Sequence, residues 1–187
     1  SGTALSSGYK TNNGVVGLDP DGVSRQNIRE LAASKGAKTG VLTTEVITGA
    51  TPSAFTAHVA DRGMSAEILE QQAALDIDYI KGMSSGPHPM TNNDLLNNVK
   101  EALGILSEGD RFFFMIEEAY TDKESHNNDM TFMLNAMDRF DRSIRYALAF
   151  TMFDRETVLL ITADHETGGI QENEDGTFSF TTNEHTG

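Results

Sequence analysis

An apolar run followed directly by metal-ligand side chains constrains this chain more than any other feature. Residues 158–161 read VLLI, and residues 162–169 read TADHETGG. The continuous apolar run predicts a buried strand. Chain reversal at the two glycines would leave Asp164 and His165 just past the carboxyl end of that strand, where open α/β sheets bind ligands. A carboxylate beside an imidazole suits a divalent metal such as zinc. A polar strand end with a structural histidine is the alternative.

A second group of such side chains follows another apolar strand pattern. Residues 112–116 (FFFMI) predict a buried strand, and Glu117 comes directly after it. Asp122 and His126 are four residues apart, so a helical turn would bring both to one face. A solvated acidic loop is the alternative for this segment taken alone. Two carboxylate and histidine groups at the ends of two buried strands together indicate a two-metal site of the kind that acts on phosphate esters.

Helical and strand patterns alternate along the chain, which predicts an α/β fold with a mostly parallel sheet. The first long helix is predicted to begin at a Ser24 cap and to bury Ile28, Leu31 and Ala32. Residues 82–89 form a Gly/Ser/Pro-rich linker. The predicted helices are 24–35, one opening at Thr51, 65–75, 93–106 and 130–152, and the predicted strands are 38–44, 77–80, 112–116 and 158–162, with 178–180 as an edge strand. The last helix is predicted to bury a stripe of Met130, Met133, Met137, Phe140, Ile144 and Leu148.

Composition narrows the range of partners. The 187 residues carry a formal net charge of −14, which argues against a nucleic-acid partner and requires a local positive centre for any anionic substrate. There are no cysteines, so a metal would have to be held by nitrogen and oxygen ligands. No apolar run approaches the roughly 20 residues that span a membrane. Arg62 is a candidate phosphate-binding residue, because its planar guanidinium group can donate to two oxygens at once.

Five segments, taken in order, resemble the alkaline phosphatase family over nearly the whole chain. Residues 1–14 resemble the segment after that family's nucleophile, and residues 50–59 (ATPSAFTAHV) resemble its ATPAAxxAH block. Residues 117–126, 162–169 and 184–187 resemble its metal-ligand segments. The resemblance implies a three-layer α/β sandwich with a mostly parallel central sheet, incomplete at both termini and without the crown insertion. Residues 1–187 would be a single partial catalytic domain, with 82–93 as the linker where the insertion is shortened.

The resemblance also implies two zinc ions, one magnesium ion and a role for nine residues. His58 matches the block without being a ligand in the family, so we predict a structural role for it. The matching residues are Asp122, His126 and His185 for one zinc, Asp164 and His165 for the other, Glu117 and Thr51 for magnesium, Arg62 for two phosphate oxygens, and Lys123 for phosphate through water.

The implied function is phosphomonoester hydrolysis through a metal-activated serine. The family's serine nucleophile and a bridging aspartate would precede Ser1, so the 187-residue chain alone is expected to be inactive, with one or more metal sites empty. Gly49 stands where family members often carry Asp or His, which bears on magnesium selectivity. Two alternatives remain: another hydrolase of the same superfamily (a phosphodiesterase or sulfatase), or a non-catalytic metal-binding module.

The family also implies partners and a location. A phosphate monoester or inorganic phosphate is the expected ligand, and neither nucleic acid nor membrane is expected to bind. A homodimer or self-association is expected, in a periplasmic or extracellular setting.

Overall fold

A three-stranded parallel sheet is the framework of the first of two units. The computed structural model describes residues 1–82 and 94–186. Residues 1–82 and 101–117 form the first unit, and residues 94–100 and 118–186 form the second. Of the predicted linker 82–93, all but Gly82 lies outside the described residues. The strands of the sheet are β1 (Lys38–Thr43), β2 (Tyr79–Lys81) and β3 (Phe112–Glu117), in the order β2-β1-β3.

The register of this sheet determines which residues share its carboxyl edge. Both pairings are parallel, and Thr43 at the end of β1 lies opposite Glu117 at the end of β3. Val41 and Leu42 are fully buried, as predicted. Strands therefore form at all three of these predicted places, with two differences. β3 is half-buried along its length and not buried as predicted, and β2 begins at Tyr79 and not at residue 77. Four helices belong to this unit, α1 (Gly2–Ser7), α2 (Ile28–Ser34), α3 (Ala50–Ala54) and α4 (Ser65–Ala73), and α5 (Asp94–Leu106) has residues in both units.

Helix α2 begins later than the sequence predicted and buries a different face. Asn27 caps it: its side chain accepts the Glu30 N–H at 2.9 Å, and the Glu30 carboxylate accepts the Asn27 N–H at 3.0 Å. This reciprocal pair outcompetes the Ser24 cap because it satisfies two backbone donors at once. Ile28 and Leu31 are exposed, whereas Arg29 is buried and donates to the Phe55 carbonyl at 2.7 Å. The predicted apolar face was therefore wrong.

His58 has a structural position in the first unit. Its Nε2 lies 2.7 Å from Glu30 Oε1 and its Nδ1 lies 2.8 Å from the Gly17 carbonyl oxygen, so both ring nitrogens face acceptors. The hydrogen bond with Glu30 raises the pKa of His58 above 6.5, and this outweighs the opposing effect of burial. Burial alone would raise the pKa of Glu30, but hydrogen bonds from His58 and the Asn27 N–H lower it below 4.5.

The second unit is built around a long helix and two short hairpin-like pairings. Residues 178–179 are extended, in agreement with the predicted edge strand, and pair antiparallel with residues 171–172. The elements are α6 (Tyr120–His126), α7 (Met130–Asp154), β4 (Glu166–Thr167), β5 (Gln171–Glu172), β6 (Phe178–Ser179) and β7 (His185–Thr186), with β4 paired to β7 and β5 to β6. None of the helices in the described ranges is both long and apolar enough to span a membrane.

The strand predicted over residues 158–162 does not form. Val158, Leu160 and Ile161 are 82%, 86% and 57% exposed, and no strand among the described residues pairs with this run. An apolar run favours burial, but a strand also needs a neighbouring strand to form hydrogen bonds with its backbone N–H and C=O groups. Asp164 and His165 accordingly precede the short strand β4 rather than follow a long one.

Helix α7 buries a face that differs from the predicted methionine stripe. Met133 is buried as predicted, but Met137 and Leu148 are about half exposed. The buried face includes Arg139, because this side chain forms an ion pair in the interior of the unit. The buried positions are Met133, Ala136, Arg139, Ser143 and Ala147, spaced three or four residues apart.

That ion pair joins the segment after β3 to α7. Arg139 Nε donates to Glu118 Oε2 and a terminal Arg139 nitrogen donates to Glu118 Oε1, both at 2.7 Å. Both side chains are buried. Glu118 Oε1 also accepts the Tyr120 N–H at 3.0 Å, at the first residue of α6. The pair therefore fixes the start of α6 against α7.

Replacing Arg139 with alanine is expected to lower the free energy of unfolding by about 3–5 kcal/mol, because it leaves the Glu118 carboxylate buried without its counter-charge. Arg142→Ala on the same helix is the matched control. Arg142 pairs with Asp138 at 2.9 Å on the exposed side, and such pairs contribute about 0.5 kcal/mol or less. Urea denaturation followed by circular dichroism measures both, and equal losses would contradict this account.

The His58–Glu30 pair is expected to make stability depend on pH. A raised histidine pKa contributes stability that is fully present below 6.5 and is lost as the pH rises through the folded-state value. A lowered glutamate pKa contributes stability that is present above 4.5 and is lost as the pH falls through the folded-state value. His58→Gln should therefore cost most stability between pH 4.5 and 6.5 and progressively less at alkaline pH.

Urea denaturation at pH 5.5 and at pH 9 tests this expectation. Leu69→Ala serves as the control, since Leu69 is half exposed on α4 and its side chain carries no titratable group. A His58→Gln penalty that is the same at both pH values would contradict the assignment.

Candidate metal centre

Helix α6 places the first two candidate ligands on one face. His126 Nε2 lies 3.5 Å from Asp122 Oδ1, four residues earlier, which confirms the helical turn predicted for this segment. The other ring nitrogen of His126, Nδ1, lies 2.5 Å from the Asn183 carbonyl oxygen. Since a neutral imidazole has one donor nitrogen, a donor at Nδ1 leaves Nε2 as the free acceptor on the Asp122 side.

The pairing of β4 with β7 brings a third ligand to the same place. Thr167 on β4 lies opposite His185 on β7 in the antiparallel register. Gly168 and Gly169 have φ values of 94° and 57°, in the left-handed region that suits glycine, but the chain does not reverse there as predicted. It continues into β5 and turns back between β5 and β6, where the Asn173 N–H donates to the Thr177 carbonyl at 2.7 Å, so that β6 and β7 return alongside β5 and β4.

Three of the candidate ligands converge closely. One ligand atom from each of Asp122, His165 and His185 lies within 4.8 Å of the others. The ring centroids of His165 and His185 are 4.1 Å apart, and those of His126 and His185 are 4.6 Å apart. Asp164 joins the edge of the group, with its Oδ2 3.3 Å from His165 Nε2. All five predicted zinc ligands therefore lie in one cluster in the second unit.

Thr167 lies at the centre of this cluster, and sequence reasoning gave it no role. Its hydroxyl donates to Asp122 Oδ1 at 2.6 Å and lies 3.2 Å from His165 Nδ1 and 3.1 Å from His185 Nδ1. Thr167 is buried, while both histidines are exposed. A buried hydroxyl that contacts three potential ligands orients them before any ion binds. The sequence indicated only that Thr167 lies in the run 162–169, close to the candidate ligands. It did not show that Thr167 pairs with His185.

The donor chemistry of this cluster fits zinc. Imidazole nitrogens and carboxylate oxygens are both common zinc ligands, and two exposed histidines leave room for a substrate to reach a bound ion.

The first unit offers a different set of candidate metal ligands. Glu117 ends β3, and its Oε2 accepts the Thr43 hydroxyl at 2.5 Å. Thr51 is half-buried in α3. Oxygen donors alone suit magnesium better than zinc.

The two candidate phosphate-binding residues lie one in each unit. Arg62 is exposed and its backbone N–H donates to the Gly14 carbonyl at 2.7 Å. Within residues 1–82 and 94–186, its guanidinium group makes no hydrogen bond or ion pair. Lys123 Nζ lies 5.4 Å from the centre of the Tyr120 ring. The nine assignments to particular ions or to phosphate remain predictions.

The order of these segments is that of a known family. The sequence profile described as alkaline phosphatase matches residues 1–85 and 84–186. This chain belongs to the alkaline phosphatase family. The match falls into two parts that overlap at residues 84–85, within the stretch 83–93 that lies outside the described residues.

Curated and solved alkaline phosphatases agree with this assignment. The chain is 25% identical to alkaline phosphatase 3 of Bacillus subtilis (strain 168) over 240 residues, covering 95% of this chain and 50% of that protein. The alkaline phosphatase of Escherichia coli (strain K12) is 42% identical over 62 residues, which is 33% of this chain and 13% of that protein. The chain thus spans about half the length of the first of these relatives.

Structural similarity confirms the fold. The structure of alkaline phosphatase from the Antarctic bacterium TAB5 superposes with a TM-score of 0.89 at 28% identity, covering 99% of this chain and 73% of that one. A histidine variant of the TAB5 enzyme, solved with magnesium bound in its M3 site, gives the same TM-score at 27% identity, over 99% of this chain and 72% of that one. The predicted α/β alkaline phosphatase fold is therefore correct.

Thr167→Val is expected to weaken zinc binding about 10–100-fold, because it removes the hydroxyl that orients Asp122 and the two histidines. Thr167→Ser keeps the hydroxyl and should bind zinc nearly as the wild type does. Competition with a chromophoric chelator measures the affinity. Thr177→Val is the control, since Thr177 contacts Asp175 and Asn173 in the hairpin β5–β6, away from the cluster. Unchanged affinity in Thr167→Val would show that the cluster does not need this hydroxyl.

Proposed function

We propose that the protein carrying this chain hydrolyses phosphomonoesters with two zinc ions and one magnesium ion as cofactors. The observation that supports this most is the convergence of Asp122, His165 and His185 in a chain of this family. The proposed ligands are Asp122, His126 and His185 for one zinc, Asp164 and His165 for the other, and Glu117 and Thr51 for magnesium.

The bound ions would supply nucleophile activation and neutralisation of the leaving oxygen. The protein's own residues do the rest. Thr167 holds the ligand side chains in place through its hydroxyl. The planar guanidinium of Arg62 binds two oxygens of the transferred phosphoryl group and offsets its charge. Lys123 contacts phosphate through water. A local positive centre of this kind is needed because the chain carries a net charge of −14.

We propose that a serine acts as the nucleophile and, following the family resemblance, that it is none of the serines in these 187 residues. A polypeptide made of these residues alone is therefore proposed to bind metal but not to turn over substrate. We further infer an extracytoplasmic setting and a homodimer, in line with the family resemblance. Detection of the protein only in the cytoplasmic fraction, or as a monomer in sizing experiments, would contradict these two inferences.

A substrate panel on the complete protein tests the reaction. We expect p-nitrophenyl phosphate to be hydrolysed far faster than bis-p-nitrophenyl phosphate or p-nitrophenyl sulfate. Asp122→Asn should lower phosphomonoesterase activity by at least 10³-fold, because it removes a charged ligand. Asp175→Asn is the control, since Asp175 is exposed in the β5–β6 hairpin.

Two results would overturn the proposal. Preferred cleavage of the diester or the sulfate would assign the protein to another hydrolase class of the superfamily. Tight zinc binding without turnover of any of the three substrates would identify a metal-binding module instead.

Arg62→Ala is expected to lower kcat/KM for a phosphomonoester about 10²–10³-fold and to weaken inhibition by inorganic phosphate, since one fork of charged donors is lost. Arg62→Lys should recover only part of this loss, because an ammonium group cannot bind two oxygens in a plane. Arg142→Ala is the control. Steady-state kinetics with inorganic phosphate as a competitive inhibitor measures both effects. If Arg62→Ala left both kcat/KM and the inhibition constant of phosphate unchanged, the proposed phosphate-binding role of Arg62 would be wrong.

A further inference from the structure

Gly49 is a glycine for a reason other than backbone conformation. Its φ of −58° and ψ of 162° are values that any residue can adopt. A Cβ at this position, however, would lie 1.8 Å from Glu45 Oε1 and 2.3 Å from the Glu45 carboxyl carbon. The Glu45 carboxylate therefore fills the space that a side chain at position 49 would occupy.

Glu45 lies at the carboxyl edge of the sheet that carries Glu117, one of the two proposed magnesium ligands. Glu45 follows the end of β1 by two residues, and β1 ends beside β3, with Thr43 opposite Glu117. The Thr43 hydroxyl accepts the Glu45 N–H at 3.1 Å and donates to Glu117 Oε2 at 2.5 Å. The Thr43 side chain thus connects the Glu45 backbone to the Glu117 carboxylate.

The turn that carries Glu45 is held by its surroundings. The Gly49 N–H donates to the Val46 carbonyl at 2.8 Å, which closes the turn between Glu45 and α3. Gln72 Nε2 donates to the Ile47 carbonyl at 2.9 Å. The backbone of Gly82 approaches so closely that a Cβ there would lie 2.5 Å from the Ile47 nitrogen. The backbone of this turn is thus held by packed neighbours, which limits where the Glu45 side chain can reach.

We propose that Glu45 supplies a second carboxylate to the magnesium site of Glu117 and Thr51, in the place that Gly49 leaves open. This inference rests on the proposed function, since it extends that site by one residue. Two carboxylates and a hydroxyl form an all-oxygen set, which favours a hard cation such as magnesium over zinc. Glu45 is therefore a residue that determines which metal this site selects.

Magnesium binding to the zinc-loaded complete protein, measured by isothermal titration calorimetry, tests the proposal. Glu45→Gln keeps the size of the side chain and removes its charge, and we expect it to weaken magnesium binding at least about tenfold. Glu70→Gln is the matched control, because Glu70 is exposed on α4. Thermal melting of both variants without magnesium verifies that they fold as the wild type does.

A carboxylate moved from position 45 to position 49 gives a second, independent test. In the double variant E45A/G49D, an aspartate occupies the space that the Glu45 carboxylate fills in the wild type. We expect it to recover most of the magnesium affinity lost in Glu45→Ala. Failure to recover any affinity would contradict the shared position of the two side chains.

Glu117→Gln separates this inference from the function on which it rests. If Glu117→Gln loses magnesium and Glu45→Gln binds it as the wild type does, the Glu45 inference is wrong and the magnesium site stands. If neither substitution changes magnesium binding, the proposed magnesium site is wrong and the Glu45 inference falls with it. Loss of affinity in both, with Glu70→Gln unchanged, supports both proposals.

Discussion

The buried ion pair between Glu118 and Arg139 is the interaction on which the candidate metal cluster of the second unit depends. Two charges removed from water are costly unless each finds a well-oriented partner, and the fork of Arg139 meets both carboxylate oxygens. The need to pair these two buried charges has two structural consequences. It turns α7 so that a charged residue faces inward, and it fixes Glu118 at the start of α6. Asp122 and His126 are then placed by the helix itself.

Hydrogen bonds within the protein order the side chains of the candidate metal cluster. A single hydroxyl, that of Thr167, contacts a carboxylate and two imidazoles, and a carbonyl oxygen orients His126. An ion entering such a cluster does not have to pay the full cost of immobilising four side chains, since hydrogen bonds have already restricted their rotamers. The arrangement also explains why exposed histidines can keep a defined geometry.

The sequence predicted the elements whose residue pattern is local and the ligands that lie within one element. The strands around Val41 and Phe113 followed from apolar runs, and the Asp122–His126 pair followed from helical spacing. The five motifs, found in the same order as in alkaline phosphatases, indicated the family. Three features could not be predicted, because each depends on a partner distant in sequence. The run 158–161 needs a neighbouring strand, the inward face of α7 needs Glu118, and the role of Thr167 needs its pairing with His185.

The uncovered run at residues 158–161 has a consequence for how this chain behaves in solution. These four apolar residues carry no charge and include no proline, and so share part of the composition of longer segments that stack between separate molecules. Val158 and Leu160 point most of their surface into water, so this segment is available for such contacts without any unfolding. The segment that the sequence predicts as the interior of a sheet is thus, in its exposed state, a place where two copies of the chain can associate.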